Sequence, residues 1–324
     1  MANLKIWVLG DSRIGNLNQA IALAQELKLG YELKNIEYNY AAKLPNFLLK
    51  LKPIHIKQKL LKALEQQAQP DVIITAGRRT AVIAYYLKKK SNGRIKLIQL
   101  MQPNLSYDEF DAIVLPEHDK PNSESPNILR ITGALCNIQS KLLIAGQELR
   151  NNYPNIGKFI AVIIGGNTKN YNFTDENAIV FSDILSKISN NNSANLFISF
   201  SRRTSNSTKQ IIKSRLPSTV IIYDPTEEID IPNPYHGMLS QADYIISTAD
   251  SISMCSEAAS TNKPLYIFCP NNFKSYKHRS FVQQLVDSGI AKMLDKSIIS
   301  LESYSYNPLF ELEKAAKFVM SKLN

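Results

Sequence analysis

Cysteine is scarce: Cys136, Cys255 and Cys269 are the only three in 324 residues. An odd, widely spaced set builds no disulfide framework and no Cys-x-x-Cys zinc signature. It fits a reducing compartment, and a cytoplasmic location is expected. Four histidines without close pairing give no metal site, so none is expected. Long apolar runs are missing too. Stretches such as Phe159–Ile164 fall far short of the roughly 20 residues that cross a bilayer. No transmembrane helix is expected, which leaves peripheral attachment to the inner face of a membrane open. Met1–Gly10 (MANLKIWVLG) is too short and lightly flanked for a secretory signal and reads as a strand entering a glycine turn. Acidic residues are the remaining shortage: 28 against 38 Lys plus Arg, a net charge of +10. That excess points to an anionic partner. No helix-turn-helix, RNP or zinc-finger pattern accompanies it, so nucleic acid is not the partner expected.

What is present is ordinary for a folded protein: 44% apolar and 20% charged residues. Short runs rich in Ile, Val, Leu and aromatics recur at Leu4–Leu9, Asp71–Thr75, Ile95–Leu100 and Ala112–Leu115. They recur again at Phe159–Ile164, Asn195–Phe200, Thr219–Tyr223, Tyr244–Ser247 and Pro264–Cys269. Most lack clean alternation, as strands buried on both faces of a parallel sheet do. Helical stripes lie between them, such as Leu17, Ala20, Ile21, Ala24 and Leu27, or Phe181, Ile184, Leu185 and Ile188. Strand and helix in alternation predict an α/β protein with doubly wound sheets. Asn151–Gly157 (NNYPNIG) reads as a linker, so two Rossmann-like domains facing a cleft are predicted, 1–150 and 151–308. The amphipathic tail 309–323 is free to pack back on the first. Residues 1–150 hold 21 basic and 13 acidic side chains, so that half carries most of the excess charge.

Five turns carry candidate chemistry. Gly10-Asp-Ser-Arg-Ile-Gly15-Asn16 joins a strand to a helix whose first amides face an anion. It is neither Gly-x-Gly-x-x-Gly nor a Walker loop, so NAD and ATP are not implied. Asn16 is a candidate helix cap. In Ala76-Gly-Arg78-Arg79-Thr80, two arginines sit at a strand's carboxyl end, where open α/β sheets bind ligands. Cations are unfavourable at a helix N-terminus, so a bound anion accounts for them better than a solvated turn. Gly165-Gly166-Asn167 allows close backbone approach of a ligand, and Thr174 caps the helix that follows. Ser201-Arg202-Arg203-Thr204 repeats the arginine pair. The last turn, in ADYIISTADSISMCSEAASTNKP, reads as strand, turn, helix, then Asn262 as a left-handed stop. Asp250, Ser251 and Ser253 stand at that helix's start, where a diphosphate binds. Glu257, one turn in, is placed to accept ribose hydroxyls.

The run from Ala242 to Pro270 resembles the donor-site segment of GT-B glycosyltransferases, especially the lipid-linked N-acetylglucosaminyltransferase of peptidoglycan synthesis. The resemblance puts Glu257 at the ribose, Ser251 and Ser253 at the phosphate turn, and Gly165, Gly166 and Asn167 at the glycine loop. This sequence has Ala249-Asp250-Ser251 where the transferase has an arginine and a glycine. The ordered set GDSRIGNLNQA, AGRRTA, LPEHD, GGN, SRRT, NPYHGML and TADSISMCSEA is also similar to the Elm-type ("elongated mitochondria") fission family. That family has many bacterial members, and its plant member helps recruit a dynamin-related protein. The resemblance implies a GT-B-like fold. It implies a nucleotide-sugar as substrate, with no cofactor, and an acceptor, lipid-linked or otherwise, in the first domain. A non-catalytic adaptor with a protein partner is the alternative.

Acid–base candidates are few. His118 and Asp119 in LPEHD follow a strand and precede the loop 120–127; Asp11 is the rival base. His236 in NPYHGML is a candidate donor contact. Lys43–Leu64 holds six lysines and no acid, with Phe47, Leu48, Leu49, Leu51, Ile54 and Ile56 as apolar weight. Basic plus apolar is what an anionic membrane surface attracts.

Overall fold

In the computed structural model the described residues are 4–49, 52–119, 124–168, 171–192, 194–227 and 231–323. Leu51 and residues 120–123 of the loop after His118 lie outside them. The first stretch runs β1 (Ile6–Gly10), α1 (Ile14–Glu26), β2 (Tyr31–Asn35), α2 (Asn46–Leu49), α3 (Gln58–Gln66), β3 (Val72–Ala76), α4 (Arg78–Lys90), β4 (Lys96–Leu100), β5 (Ala112–Pro116), β6 (Ile128–Ile131). The second runs α5 (Gln139–Asn152), β7 (Phe159–Ile164), α6 (Asp175–Asn192), β8 (Asn195–Phe200), α7 (Asn206–Arg215), β9 (Ile221–Tyr223), α8 (Tyr235–Gln241), β10 (Tyr244–Thr248), α9 (Ile252–Ala259), β11 (Leu265–Phe268), α10 (Tyr276–Asp287), β12 (Ala291–Leu294). The helix α11 (Glu311–Leu323) ends the chain.

Two compact units result: Met1–Cys136 with Phe310–Asn324, and Asn137–Leu309. The first is a parallel sheet in the order β2-β1-β3-β4-β5-β6. Its inner strands β1, β3, β4 and β5 bury both faces, as period-2 geometry demands of an uninterrupted apolar run. Ile6 and Val8 join Ile74, Ile98 and Val114 on one face, where α11 adds Leu312, Ala315 and Val319. Trp7 and Leu9 join Ile73, Leu97 and Ile113 on the other, under Leu61 and Leu64 of α3 and Leu87 of α4.

The second unit is a parallel sheet in the order β12-β11-β10-β7-β8-β9. Its lower boundary differs from the expected one near 150. α5 belongs to this unit because two glycines let it lie directly on α8. A Cβ on Gly237 would come within 2.5 Å of the Ala145 carbonyl, and one on Gly146 within 2.6 Å of Ser240 Oγ. Arg150 Nε also donates to Gln241 Oε1 at 3.1 Å. The expected linker therefore begins inside the last turn of α5.

In each sheet the strand order reverses once, between β1 and β3 and between β10 and β7. Such switch points open a crevice at the strands' carboxyl ends, where α/β sheets hold ligands. Asp11 and Gly77 leave the first pair; Gly165 and Ala249 leave the second.

Candidate functional site

The glycine loop after β7 is filled by the protein itself. Asp250, just past β10, points its carboxylate into the space that Gly165 leaves open. Its Oδ2 accepts from the Gly166 amide at 2.8 Å, and its Oδ1 accepts from Thr248 Oγ1 at 2.7 Å. Arg203 Nη2 stands 3.1 Å from Oδ2; the Asp250 side chain is 1% exposed and that of Arg203 40%. Any Cβ on Gly165 would overlap that carboxylate, and one on Gly166 would overlap the backbone of Arg203 and Thr204. Close approach was expected at both glycines, and it occurs, but the approaching groups are Asp250 and the 201–204 turn.

Ser201 and Thr204 knit the two turns together. Ser201 Oγ donates to the Gly165 carbonyl at 2.8 Å, and Thr204 Oγ1 donates to the same carbonyl. Ser201 Oγ also accepts from the Arg203 amide at 3.1 Å. The Asn167 amide donates to the Arg203 carbonyl at 3.0 Å, and its side-chain oxygen accepts from the Phe173 amide at 2.8 Å. Arg202 is left exposed.

α9 begins as expected. Ser251 is its N-cap, accepting from the Met254 amide at 3.4 Å, and Ser253 lies half-buried in the first turn. Asn262 takes φ +58 beyond its end. Glu257, half-buried one turn in, accepts from Tyr235 Oη at 2.5 Å. Burial pushes its carboxyl above the ordinary glutamate range, against the opposing pull of Tyr235 and Lys141. Next to this pair is a cavity of about 200 Å³ lined by Ile163, Ile164, Phe200, Arg202, Pro225, Tyr235 and Met254, among others. Pro225 is held there by its neighbour: Asp224 pairs with Lys209 Nζ at 2.8 Å, both side chains buried. His236, on α8, packs edge-on against Tyr235 at 5.3 Å, with burial pushing its imidazole below the usual range.

In the first unit, Asp11 is buried after β1. Asn16 Nδ2 donates to its Oδ2 at 2.7 Å, and Arg79 Nη1 lies 3.8 Å from Oδ1. Asn16 is not the helix cap. Arg13 holds that position, and Asn16, inside the first turn beside Gly15, reaches Ala76 across to β3. Gly77 (φ +81) keeps that bridge open: a Cβ there would stand 2.7 Å from Asn16 Nδ2. The guanidinium of Arg79 lies over Tyr38 at 5.0 Å, and Tyr38 stacks on His55 at 5.8 Å. Arg78, expected to grip an anion, instead donates to the carbonyls of Ala42 and Leu44, both at 2.9 Å, and to Asn46 Oδ1 at 3.2 Å. It fastens the 42–46 segment. His118 lies buried directly after β5, and Asp119 beside it offers its carbonyl to Arg130 at 3.2 Å.

The groups not anticipated are Tyr235, Thr248, Tyr38 and His55. Tyr235 and Thr248 had local signals, since they stand in the motifs NPYHGML and TADSISMCSEA.

Residues 14–323 match the family described as Mitochondrial fission ELM1. The chain belongs to that family. An uncharacterized protein of Rickettsia prowazekii (strain Madrid E) is 50% identical over 346 residues, covering 98% of each chain. The mitochondrial fission protein ELM1 of Arabidopsis thaliana is 26% identical over 280 residues, 78% of this chain and 64% of that protein. Among solved structures, the UDP-GlcNAc 2-epimerase of Methanocaldococcus jannaschii superposes with TM-score 0.65 at 14% identity, covering 98% of this chain and 99% of its own. The Neisseria meningitidis UDP-GlcNAc 2-epimerase bound to UDP-GlcNAc gives TM-score 0.60 at 14% identity, covering 99% of both. The calicheamicin glycosyltransferase CalG4 gives 0.56 at 10% identity, covering 100% of this chain and 91% of its own. These likenesses establish the fold of this ELM1 family member as GT-B-like.

Proposed function

We propose that the second unit binds a nucleotide-sugar, with UDP-GlcNAc the first to test, and that the protein is a GT-B-type glycosyltransferase or a close derivative. The observation that carries this is Glu257: a desolvated carboxylate one turn inside α9, paired to Tyr235, beside an apolar cavity at a sheet's switch point. At about 200 Å³ the cavity is smaller than the roughly 300–1,000 Å³ of a pocket that engulfs a drug-sized ligand. It takes one ring, and a base there leaves its ribose at Glu257 and its phosphates toward Ser251, Ser253 and Arg202. UDP-GlcNAc comes first in the order of testing because the Neisseria epimerase, a structural neighbour, is bound to it.

Transfer would proceed by attack of an acceptor hydroxyl on the anomeric carbon. The hydroxyl proton passes to a base, and the nucleoside diphosphate leaves, stabilised by the α9 amides and Arg202. Asp11 and His118, with Asp119 beside it, are the candidate bases, and the first unit is the candidate acceptor side. Asp11 is held by Asn16 and Arg79. The lysine-rich segment is assigned to an anionic membrane surface. Phe47 and Leu48 are 65% and 52% exposed within it, and Tyr40, three residues before it, 92%, more than a core-covering stretch leaves open.

A thermal-shift screen against UDP, GDP, CMP, dTDP and ADP forms and their sugars tests the reading. A selective stabilisation abolished by Glu257→Ala is expected. No shift with any nucleotide transfers the weight to a non-catalytic adaptor, a role favoured by the name of the Arabidopsis relative, a mitochondrial fission protein.

A further inference from the structure

The second unit has two groups that would ordinarily seize a phosphate: a glycine-loop amide at Gly166 and the guanidinium of Arg203. Both are directed at one carboxylate, that of Asp250, which also takes the Thr248 hydroxyl. The glycine at 165 admits Asp250 in this geometry, since a Cβ there would overlap its carboxylate. Near the same residue, the half-buried His278, which feels the Asp250 charge, meets Ser275 Oγ at 2.7 Å. Tyr171 Oη accepts from Asn177 Nδ2 at 3.1 Å, and burial together with the Asp250 charge keeps that phenol protonated. Expelling a carboxylate that is 1% exposed would strand two of its donors or force it into apolar surroundings, and each is costly.

We propose that Asp250 is a resident anion that keeps phosphate out of the glycine loop, so that the loop receives the neutral, hydroxyl-bearing part of a ligand. The inference rests on the nucleotide-sugar reading and deepens it: the diphosphate is left to α9 and Arg202, and an uncharged part of the ligand lies toward the glycine loop. It makes Asp250 a specificity-determining residue. A carboxylate already held by three donors repels a second anion.

The test uses inorganic pyrophosphate as probe on the full chain. Asp250→Asn keeps the shape and removes the charge; Asp250→Ser opens the space should the first variant fold poorly. Either folded variant is expected to bind pyrophosphate about tenfold more tightly than the unmodified protein, the scale of one charge-assisted contact. Adding Arg203→Gln should cancel the gain. Folded variants whose pyrophosphate affinity is unchanged or weaker overturn the proposal. Amide NMR supplies a check without substitution. The Gly166 resonance of the unmodified protein should stay put during a pyrophosphate titration, and its movement contradicts the proposal. Failure here is distinct from failure of the nucleotide reading, which is judged by whether UDP binding depends on Glu257.

Discussion

Glu257 and Asp250 are two acidic residues at one switch point, and the structure treats them differently. Asp250 is surrounded by donors; Glu257 has one hydroxyl partner and a desolvating environment. The pH consequence follows from the direction of the Glu257 shift. An unfolded glutamate titrates near 4.5, and the folded one titrates higher. Between those values the folded chain holds the extra proton, so this group's contribution is largest at low pH and is lost as pH rises through the folded value. Glu257→Gln should flatten that part of the Tm-versus-pH curve above pH 4.5; an unaltered curve would mean the carboxyl is not desolvated. Gly165 gives a second residue-scale prediction. Gly165→Ala should cost about 1–3 kcal/mol in chemical denaturation, as overpacking does. Combining it with Asp250→Ala should cost less than the sum, because the methyl then occupies vacated space. Strict additivity would disprove the contact. Ser251, Asn262 and Thr174, whose Oγ1 accepts from the Asn177 amide at 3.3 Å, were legible from the chain alone, since caps and left-handed stops are set by neighbours in sequence. The contacts of Tyr235 with Glu257 and of Asp250 with Gly166 join residues 22 and 84 apart, and no local pattern announces them.

At the scale of elements, the strands found in the sequence are chiefly those with two buried faces. β1, β3, β4, β5, β7, β8, β10 and β11 each fall on a predicted run, and the edge strand β9 does so in shortened form. The three strands without a prediction, β2, β6 and β12, are all sheet edges. YELKN, ILRI and AKML expose part of each strand and carry charge, so their apolar content is too low to signal a strand. That α5 belongs to the second unit was not legible in the sequence, because Gly146 and Gly237 reveal a close helix pair only once brought together. Gly237→Ala should therefore lower the stability of the second unit by about 1–3 kcal/mol, measured by urea unfolding. A neutral result would show that α5 and α8 have room to separate.

For the whole molecule, the proposed membrane surface combines a net charge of +10 with an exposed aromatic and leucine cluster among lysines. Surface lysines contribute about 1 kcal/mol each toward anionic lipid, and this fades with salt. Sedimentation with phosphatidylglycerol vesicles should be strong at low salt, weak with phosphatidylcholine, and reduced about tenfold or more by Phe47→Asp with Leu48→Asp. Equal binding to both lipids, or an unaffected double variant, would rule out the membrane surface. Two doubly wound α/β units were legible because the alternation of strand and helix restarts at β7, and their GT-B-like character only through the family resemblance. Chemistry was less so, because fold and activity are separable and sites are built from contacts between distant residues.

The central claim is that the second unit holds a nucleotide-sugar through Glu257. Calorimetric titration of UDP-GlcNAc into the unmodified protein and into Glu257→Ala tests it most directly. Saturable binding is expected, weakening about tenfold to a hundredfold when the carboxylate is removed, the worth of hydrogen bonds to a charged group. Binding of equal strength in both proteins would contradict the ribose assignment, and no binding to either would contradict the nucleotide site itself.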